Sequence, residues 1–146
     1  MRVAIGSDHG GFSLKAAILK RLKERNIEVT DHGSYSTDAV DYPDVAVSVG
    51  KDVAEGKADF GILMCRTGIG MSITANKLPG IRAALCDSVD LARLSREHND
   101  ANVLTMAGGT SPVKATKIVR VFLETKFSGV DRHRRRVKKI HRLTGL

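Results

Sequence analysis

The chain is poor in the residues on which several protein classes depend. It has no Trp, and aromatic residues make up only 4% of its 146 positions, which disfavours single-stranded nucleic acid binding by base stacking. Cys65 and Cys86 are too few for a disulfide scaffold, and we expect two free thiols. No apolar run is long enough to cross a bilayer and no secretory leader is recognisable, so a soluble, cytoplasmic protein is expected.

The net charge of +8 originates at one end of the chain. Seven of the 24 Lys and Arg residues lie from position 132 onward, where Asp and Glu are absent, and the other seventeen nearly balance the 16 acidic residues. These terminal cations are Arg132, Arg134, Arg135, Arg136, Lys138, Lys139 and Arg142. Such a cluster indicates a local anion site or a nucleic-acid-binding tail, and composition alone favours a solvated face or tail.

Short apolar runs alternate with amphipathic stretches along the whole chain. Strands are predicted at residues 2–6, 27–30, 60–64, 83–85 and 103–106. Helices are predicted at residues 12–25, 44–55, 71–77, 88–97, from Ser111-Pro112 onward, and at 132–143. The alternation predicts an α/β fold, a three-layer α/β/α sandwich with a five-stranded parallel, Rossmann-like sheet.

The last two predicted helices differ in how well they can pack on a core. The helix that opens at Ser111-Pro112 is expected to face inward with Val113, the stem of Lys117, Val119 and Phe122. The helix at residues 132–143 has only three apolar side chains, so we expect it to pack on a neighbouring subunit.

Residues 60–73 are the stretch on which the predicted site centres. Cys65 follows an apolar strand, and Gly68 and Gly70 lie in the loop that leads into the next helix. Open α/β sheets bind ligands at the carboxyl ends of their strands, and glycines let backbone N–H groups approach negative charge. The pattern therefore predicts chemistry at Cys65, although a buried thiol in a tight turn is equally compatible with it.

Other polar side chains occur at predicted strand ends or just before a strand. Asp8-His9 and Asp87 each follow a strand, whereas His98-Asn99 follows a helix, so His98 could face its own sheet edge or a partner's. Ordinary structural roles compete with these interpretations. Asp8 could cap the next helix, and His98 could be a helix C-terminal cation.

Cofactor and metal motifs are weak in this sequence. Gly68-Ile-Gly70 begins a dinucleotide fingerprint with Asp87 about twenty residues later, but Ile73 occupies the third glycine position and the motif follows the third strand. Asp and His residues are plentiful near the amino terminus without a ligand spacing that stands out. We therefore predict no cofactor and no metal.

Six segments spread over nearly the whole chain carry a specific combination of motifs. They are residues 6–10 (GSDHG), 41–43 (DYP), 61–77 (GILMCRTGIGMSITANK), 80–84 (GIRAA), 95–103 (SREHNDANV) and 132–137 (RHRRRV). In this order they resemble the type B ribose-5-phosphate isomerases, a group that also includes galactose-6-phosphate and allose-6-phosphate isomerases.

The resemblance implies one sugar-phosphate isomerase domain over residues 1–146, acting in the pentose phosphate pathway. It would interconvert ribose 5-phosphate and ribulose 5-phosphate through an enediolate, with Cys65 as base, Thr67 assisting it and His98 opening the sugar ring. The substrate-binding residues would be Asp8, His9, Tyr42, Arg66, Gly68, Ile69, Gly70, Ser72, Asn99, Arg132 and Arg136. The resemblance also implies a homodimer or dimer of dimers with shared sites, and we expect neither a nucleic-acid nor a membrane partner.

The chemistry of these residues is compatible with that reaction. A thiolate can serve as base, and the N–H groups of residues 67–72 can stabilise the oxyanion of an enediolate. A helix N-terminus or a neighbouring cation favours the thiolate form. Arg132 and Arg136, four residues apart on one helix face, can clamp a phosphate.

The chain departs from the family pattern at two places. The family usually has glycine at the position of Arg66 and an arginine in the loop near Gly109. We hypothesise that Arg66 takes over part of the phosphate contact or favours the Cys65 thiolate. Two alternatives stay open: an isomerase of another aldose phosphate (allose or galactose 6-phosphate), or a catalytically weak sugar-phosphate-binding protein.

Overall fold

Five strands and six helices alternate in the computed structural model, which describes all 146 residues. The strands are β1 (Arg2–Ser7), β2 (Glu28–Asp31), β3 (Phe60–Cys65), β4 (Ala83–Leu85) and β5 (Val103–Ala107). The helices are α1 (Phe12–Glu24), α2 (Tyr42–Ala54), α3 (Ile69–Ala75), α4 (Val89–Asn99), α5 (Pro112–Glu124) and α6 (Asp131–Thr144). The predicted order of elements is confirmed, with boundaries that differ by a few residues.

The sheet is parallel throughout, with the strand order β2-β1-β3-β5-β4. The central strand β3 is buried on both faces: Ile62 and Met64 join one apolar cluster, and Leu63 and Cys65 join the other. The first cluster contains side chains of α1, α4 and α5, whereas the second contains those of α2 and α3. Two apolar cores on either side of one sheet make the predicted α/β/α sandwich.

Helices α1 and α2 bury the apolar stripes that their sequences predict. Leu14, Ile18 and Leu22 of α1 are almost fully buried. The β-branched stripe of α2, every fourth residue from Val45, is also buried, since packing on the sheet outweighs the weak helix propensity of valine. Helix α2 starts at Tyr42, two residues before the predicted start, which places Pro43 in its first turn.

Helix α5 faces the core with a different stripe from the predicted one. Val113 is 70% exposed and Lys117 is also exposed, so their predicted inward positions are wrong, whereas Val119 and Phe122 are buried as predicted. The buried stripe begins at Ala115 and continues through Ile118, and at 100° per residue Val113 and Lys117 lie on the opposite side of the helix from this stripe.

Helix α6 lies against α4 of its own chain. Its one buried side chain is His133, and its remaining residues are half-buried or exposed. The predicted packing of this helix on a neighbouring subunit therefore stays a prediction. None of the six helices combines the length and apolar character of a membrane span.

Candidate active site

The carboxyl ends of β1, β3 and β5 meet around Cys65. The backbone N–H of Asp8, just after β1, donates to the carbonyl of Met64 at 3.1 Å. From the other side, the N–H of Gly108 donates to the carbonyl of Cys65 at 2.7 Å. These bonds join the three loops after the strands, as expected for a ligand site at this edge.

Gly68 holds the loop after β3 in a conformation that other residues rarely adopt. Its φ is +78°, and a Cβ atom at this position would lie 2.8 Å from the carbonyl carbon of Met106. The resulting turn brings the Gly68 N–H within 3.1 Å of the Cys65 Sγ, to which it donates. An N–H aimed at sulfur can hydrogen-bond a thiolate, the form of cysteine that can accept a proton.

The next residues leave backbone donors free. The Ile69 N–H donates to Thr67 Oγ1 at 3.2 Å, while the N–H groups of Gly70 and Met71 have no acceptor in the chain. Helix α3 begins at Ile69, two residues earlier than predicted, which is why these two groups lie in its first turn. Free N–H groups beside a thiol are suited to stabilising an oxyanion.

Asp8 and Tyr42 border the same loop. Asp8 is 7% exposed; one carboxylate oxygen accepts the N–H of Gly11 at 3.1 Å, and the other has no partner in the chain. The N-cap of α1 is Gly11, so Asp8 does not cap the helix; it binds the turn that precedes it and leaves one carboxylate oxygen available. The ring of Tyr42 covers Gly70 so closely that a Cβ there would meet it at 2.7 Å.

Exposed and half-buried side chains surround Cys65 and the loop after β3. The predicted residues His9, Arg66, Thr67, Ile69 and Ser72 lie here, Ser72 half-buried and the others exposed. The guanidinium of Arg66 forms no ion pair and donates no hydrogen bond within the chain. Gly109, in the loop after β5, faces open space.

The remaining predicted residues lie at the opposite edge of the sheet. His98 and Asn99 end α4 just before Val103, the first residue of β5, whereas Cys65 pairs with Ala107 at the end of that strand. Four residue steps along a strand separate the two ends by about 13 Å. Within one chain, therefore, His98, Asn99, Arg132 and Arg136 are not brought to Cys65.

This second cluster has its own local order. The ring of the half-buried His98 lies against that of His133, with centroids 4.3 Å apart and an interplanar angle of 42°. His133 Nδ1 is 2.8 Å from Ser128 Oγ, and its Nε2 accepts from Arg132 Nε at 3.2 Å. Burial of His133, together with the positive charge of nearby groups, lowers its pKa below the ordinary value of 6.5.

No cavity of the single chain contains Cys65. Four cavities are present, and none is lined by Cys65 or by residues 66–72. The largest, about 600 Å³, runs along α6 and is lined by Asp131, Arg134, Arg135, Lys138, Lys139 and Arg142. The single chain therefore encloses no cavity at Cys65.

Two further predictions concern thiols and metals. Cys86 is 2% exposed and, as expected, free, and burial raises the pKa of its thiol. No three His, Cys, Asp or Glu side chains lie close enough together to form a metal site.

His133 has no predicted role, although the motif at residues 132–137 includes it. Sequence gives one signal for it, a histidine next to Arg132 in a helix with few apolar residues. Its burial against His98 depends on how α6 lies on α4, which periodicity does not reveal.

Three comparisons with known proteins cover nearly the full chain. Ribose-5-phosphate isomerase B of Escherichia coli is 45% identical over 140 residues, 95% of this chain and 93% of that protein. The crystal structure of a ribose 5-phosphate isomerase from Thermotoga maritima matches with a TM-score of 0.93 at 51% identity, covering 95% of this chain and 96% of that one. A ribose-5-phosphate isomerase B from Mycoplasma genitalium, solved with bound ribulose-5-phosphate, matches with a TM-score of 0.93 at 41% identity, covering 99% and 96%.

The profile described as Ribose/Galactose Isomerase matches residues 3–140 of the 146. A match of this extent, with relatives well above 30% identity over the same length, establishes the relationship. The chain belongs to the Ribose/Galactose Isomerase family.

Proposed function

We propose that this chain is an aldose–ketose isomerase that interconverts ribose 5-phosphate and ribulose 5-phosphate. The observation that carries the proposal is the placement of Cys65 at the end of β3. Its Sγ accepts a hydrogen bond from the Gly68 N–H, and two further N–H groups in the next turn have no acceptor in the chain. The named relatives support the choice of substrate.

The reaction moves one hydrogen between neighbouring carbons. The Cys65 thiolate removes the proton from C2 of the open-chain aldose, and the electron pair moves into a C1–C2 double bond as O1 becomes an oxyanion. The thiol then returns the proton to C1, and the proton of the O2 hydroxyl passes to the O1 oxyanion as C2–O2 becomes the carbonyl, which gives the ketose with no net change in composition. The free N–H groups of Gly70 and Met71 stabilise the oxyanion, and Thr67 assists the base.

The second half of the site comes, in this proposal, from another copy of the chain. The site at Cys65, which the single chain leaves unenclosed, and the cluster of His98, Arg132 and Arg136 at the opposite edge complement each other in function. We propose that His98 of the partner subunit opens the sugar ring and that Asn99 of the partner subunit holds its hydroxyls. The partner subunit's Arg132 and the partner subunit's Arg136 would bind the phosphate.

Arg66 compensates, in this proposal, for the arginine that the family usually has near Gly109. The two positions follow β3 and β5, which are paired neighbours, so both side chains start from the same sheet edge. Arg66 has no partner within the chain, and a cation there can reach the phosphate. The Arg66 side chain is also much larger than the usual glycine and can change which sugar phosphate fits the site, so six-carbon substrates are included in the test.

An assay over a panel of sugar phosphates tests the proposed function. The full-length protein should convert ribose 5-phosphate to the ketose faster than allose 6-phosphate or galactose 6-phosphate, and deuterium from solvent should appear in the product. A protein that binds ribose 5-phosphate but neither converts it nor incorporates deuterium would be a binding protein. Preference for a six-carbon substrate would transfer the proposal to that sugar.

Moving the arginine from position 66 to position 109 tests the role of Arg66. Arg66→Gly should raise the KM for ribose 5-phosphate by about tenfold, the loss expected for one charge-assisted contact. The double variant Arg66→Gly with Gly109→Arg restores the family arrangement and should recover most of the affinity. Unchanged KM and an unchanged pH profile of kcat/KM in Arg66→Gly would rule the role out.

A further inference from the structure

His98 is held in place without any hydrogen bond to its ring. It is half-buried, neither of its ring nitrogens has a partner in the chain, and its only aromatic neighbour is His133 at 4.3 Å. A ring with two free nitrogens can exchange protons with a substrate. Its orientation, however, then depends on the neighbour against which it lies.

His133 is itself fixed at both ring nitrogens. It is 4% exposed, with Ser128 Oγ at 2.8 Å from Nδ1 and Arg132 Nε at 3.2 Å from Nε2. Ser128 is tied to α4 as well, because its backbone N–H donates to the carbonyl of Glu97 at 3.1 Å, one residue before His98. The support thus connects α4, the loop after α5 and α6.

The hydrogen bonds determine which form of His133 is present. A guanidinium can only donate, so Nε2 must accept from Arg132, and Nδ1 carries the hydrogen that goes to Ser128 Oγ. Burial disfavours a charge on this ring, as do the nearby charges of His98, Arg132 and Arg136, in that order. A hydrogen bond with the backbone of Glu97 in α4 acts in the opposite direction and raises the pKa of His133, but it is the smallest of these contributions. His133 is therefore a neutral ring at neutral pH.

We propose that His133 is a positioning residue that orients His98 for opening of the sugar ring and Arg132 for phosphate binding. The inference rests on the proposed function. In ring opening the C1 hydroxyl loses a proton and becomes the C1 carbonyl, the bond between C1 and the ring oxygen breaks, and the ring oxygen gains a proton. The imidazole that transfers the proton must therefore lie beside these two oxygens. Because His133 engages Arg132 only through Nε, both terminal guanidinium nitrogens stay available for phosphate.

Two substitutions separate these tasks. His133→Phe keeps an aromatic ring against His98 but removes the acceptor for Arg132, so KM for ribose 5-phosphate should rise more than kcat falls. His133→Gln keeps an acceptor but removes the stacked ring, so kcat should fall more than KM rises. We expect changes of about 10- to 100-fold, the usual cost of a small misplacement of reacting groups.

A second readout isolates ring opening from the proton transfer at carbon. Ribulose 5-phosphate is acyclic, so exchange of its C1 hydrogen with solvent deuterium needs Cys65 but no ring opening. In His133→Gln, conversion of ribose 5-phosphate should fall further than this exchange. His141→Phe, the same kind of change on the same helix outside the proposed site, is the matched control and should leave both readouts near those of the unmodified protein.

The outcomes distinguish this inference from the function on which it rests. An unmodified protein that does not convert ribose 5-phosphate overturns the proposed function. An active unmodified protein with folded His133 variants of unchanged kcat and KM, or with conversion and exchange reduced equally, overturns the role of His133. If neither variant folds, NMR of the unmodified protein decides: at pH 7 His133 should be neutral with its proton on Nδ1, and a charged ring or a proton on Nε2 would overturn the inference.

Discussion

The two halves of the proposed site are built in different ways. At the carboxyl edge, Cys65 lies at the end of a fully buried strand, and backbone hydrogen bonds from Asp8, Gly68 and Gly108 fix its surroundings. At the amino edge, His98 is held by contact with the ring of His133. Helix α6, which carries His133, buries no other side chain. The first half is therefore organised by backbone bonds around a buried strand, whereas the second, as proposed above, completes a site only when it faces Cys65 of another copy.

The largest expected effect is the loss of the base in the first half. Cys65→Ala should lower kcat for ribose 5-phosphate by about 10²- to 10⁴-fold, the usual contribution of a positioned general base. The measurement is the rate of ketose formation together with deuterium incorporation from solvent. Cys86→Ala is the matched control, since Cys86 is also a buried thiol at a strand end but belongs to the apolar cluster on the other face of the sheet; an equal loss in both variants would contradict the assignment.

Mixing two inactive variants tests whether the halves belong to different chains. Cys65→Ala and His98→Asn should each be nearly inactive alone. In a randomly mixed dimer population half of the dimers are hybrids, and each hybrid contains one site with both residues intact, so about a quarter of the unmodified activity should return. Coexpression of the two variants with different affinity tags allows the hybrid to be isolated; a hybrid without activity would mean that both residues act within one chain.

The same contrast explains what sequence could predict. The order of elements, the parallel sheet and the grouping of Asp8, Cys65 and Gly70 follow from apolar periodicity and from the rule that parallel strands end at one edge. The inward face of α5 was predicted wrongly at Val113 and Lys117, because both lie on the side of the helix opposite to the stripe that begins at Ala115. His133 had no predicted role, since its burial depends on a tertiary contact between α4 and α6.

Alanine at Gly68 tests how rigidly the first half is built. Gly56 has nearly the same backbone conformation, with φ of +70° against +78° at Gly68, but open space around it. Both substitutions should lower the free energy of unfolding by about 1–2 kcal/mol through conformation alone. Gly68→Ala should cost more, because its Cβ would meet Leu85 and the Met106 backbone, and it should also lower kcat. Equal losses of stability in denaturant titrations would show that the close contact is unimportant.

The smallest expected effect concerns the pH dependence of the second half. The folded protein holds the pKa of His133 below 6.5, so the unfolded chain takes up a proton at higher pH than the folded one. The neutral ring therefore contributes stability above about pH 6.5, and this contribution is lost as the pH falls through that value towards the folded pKa. His133→Gln cannot titrate, so its free energy of unfolding should decline less between pH 7.5 and pH 5 than that of the unmodified protein, as measured by urea titration at each pH. His141→Gln, the same substitution on the same helix, is the control for the loss of a histidine as such. Parallel curves for the unmodified protein and His133→Gln would show that His133 is free to charge in the fold, and the second half would then be looser than its hydrogen bonds indicate.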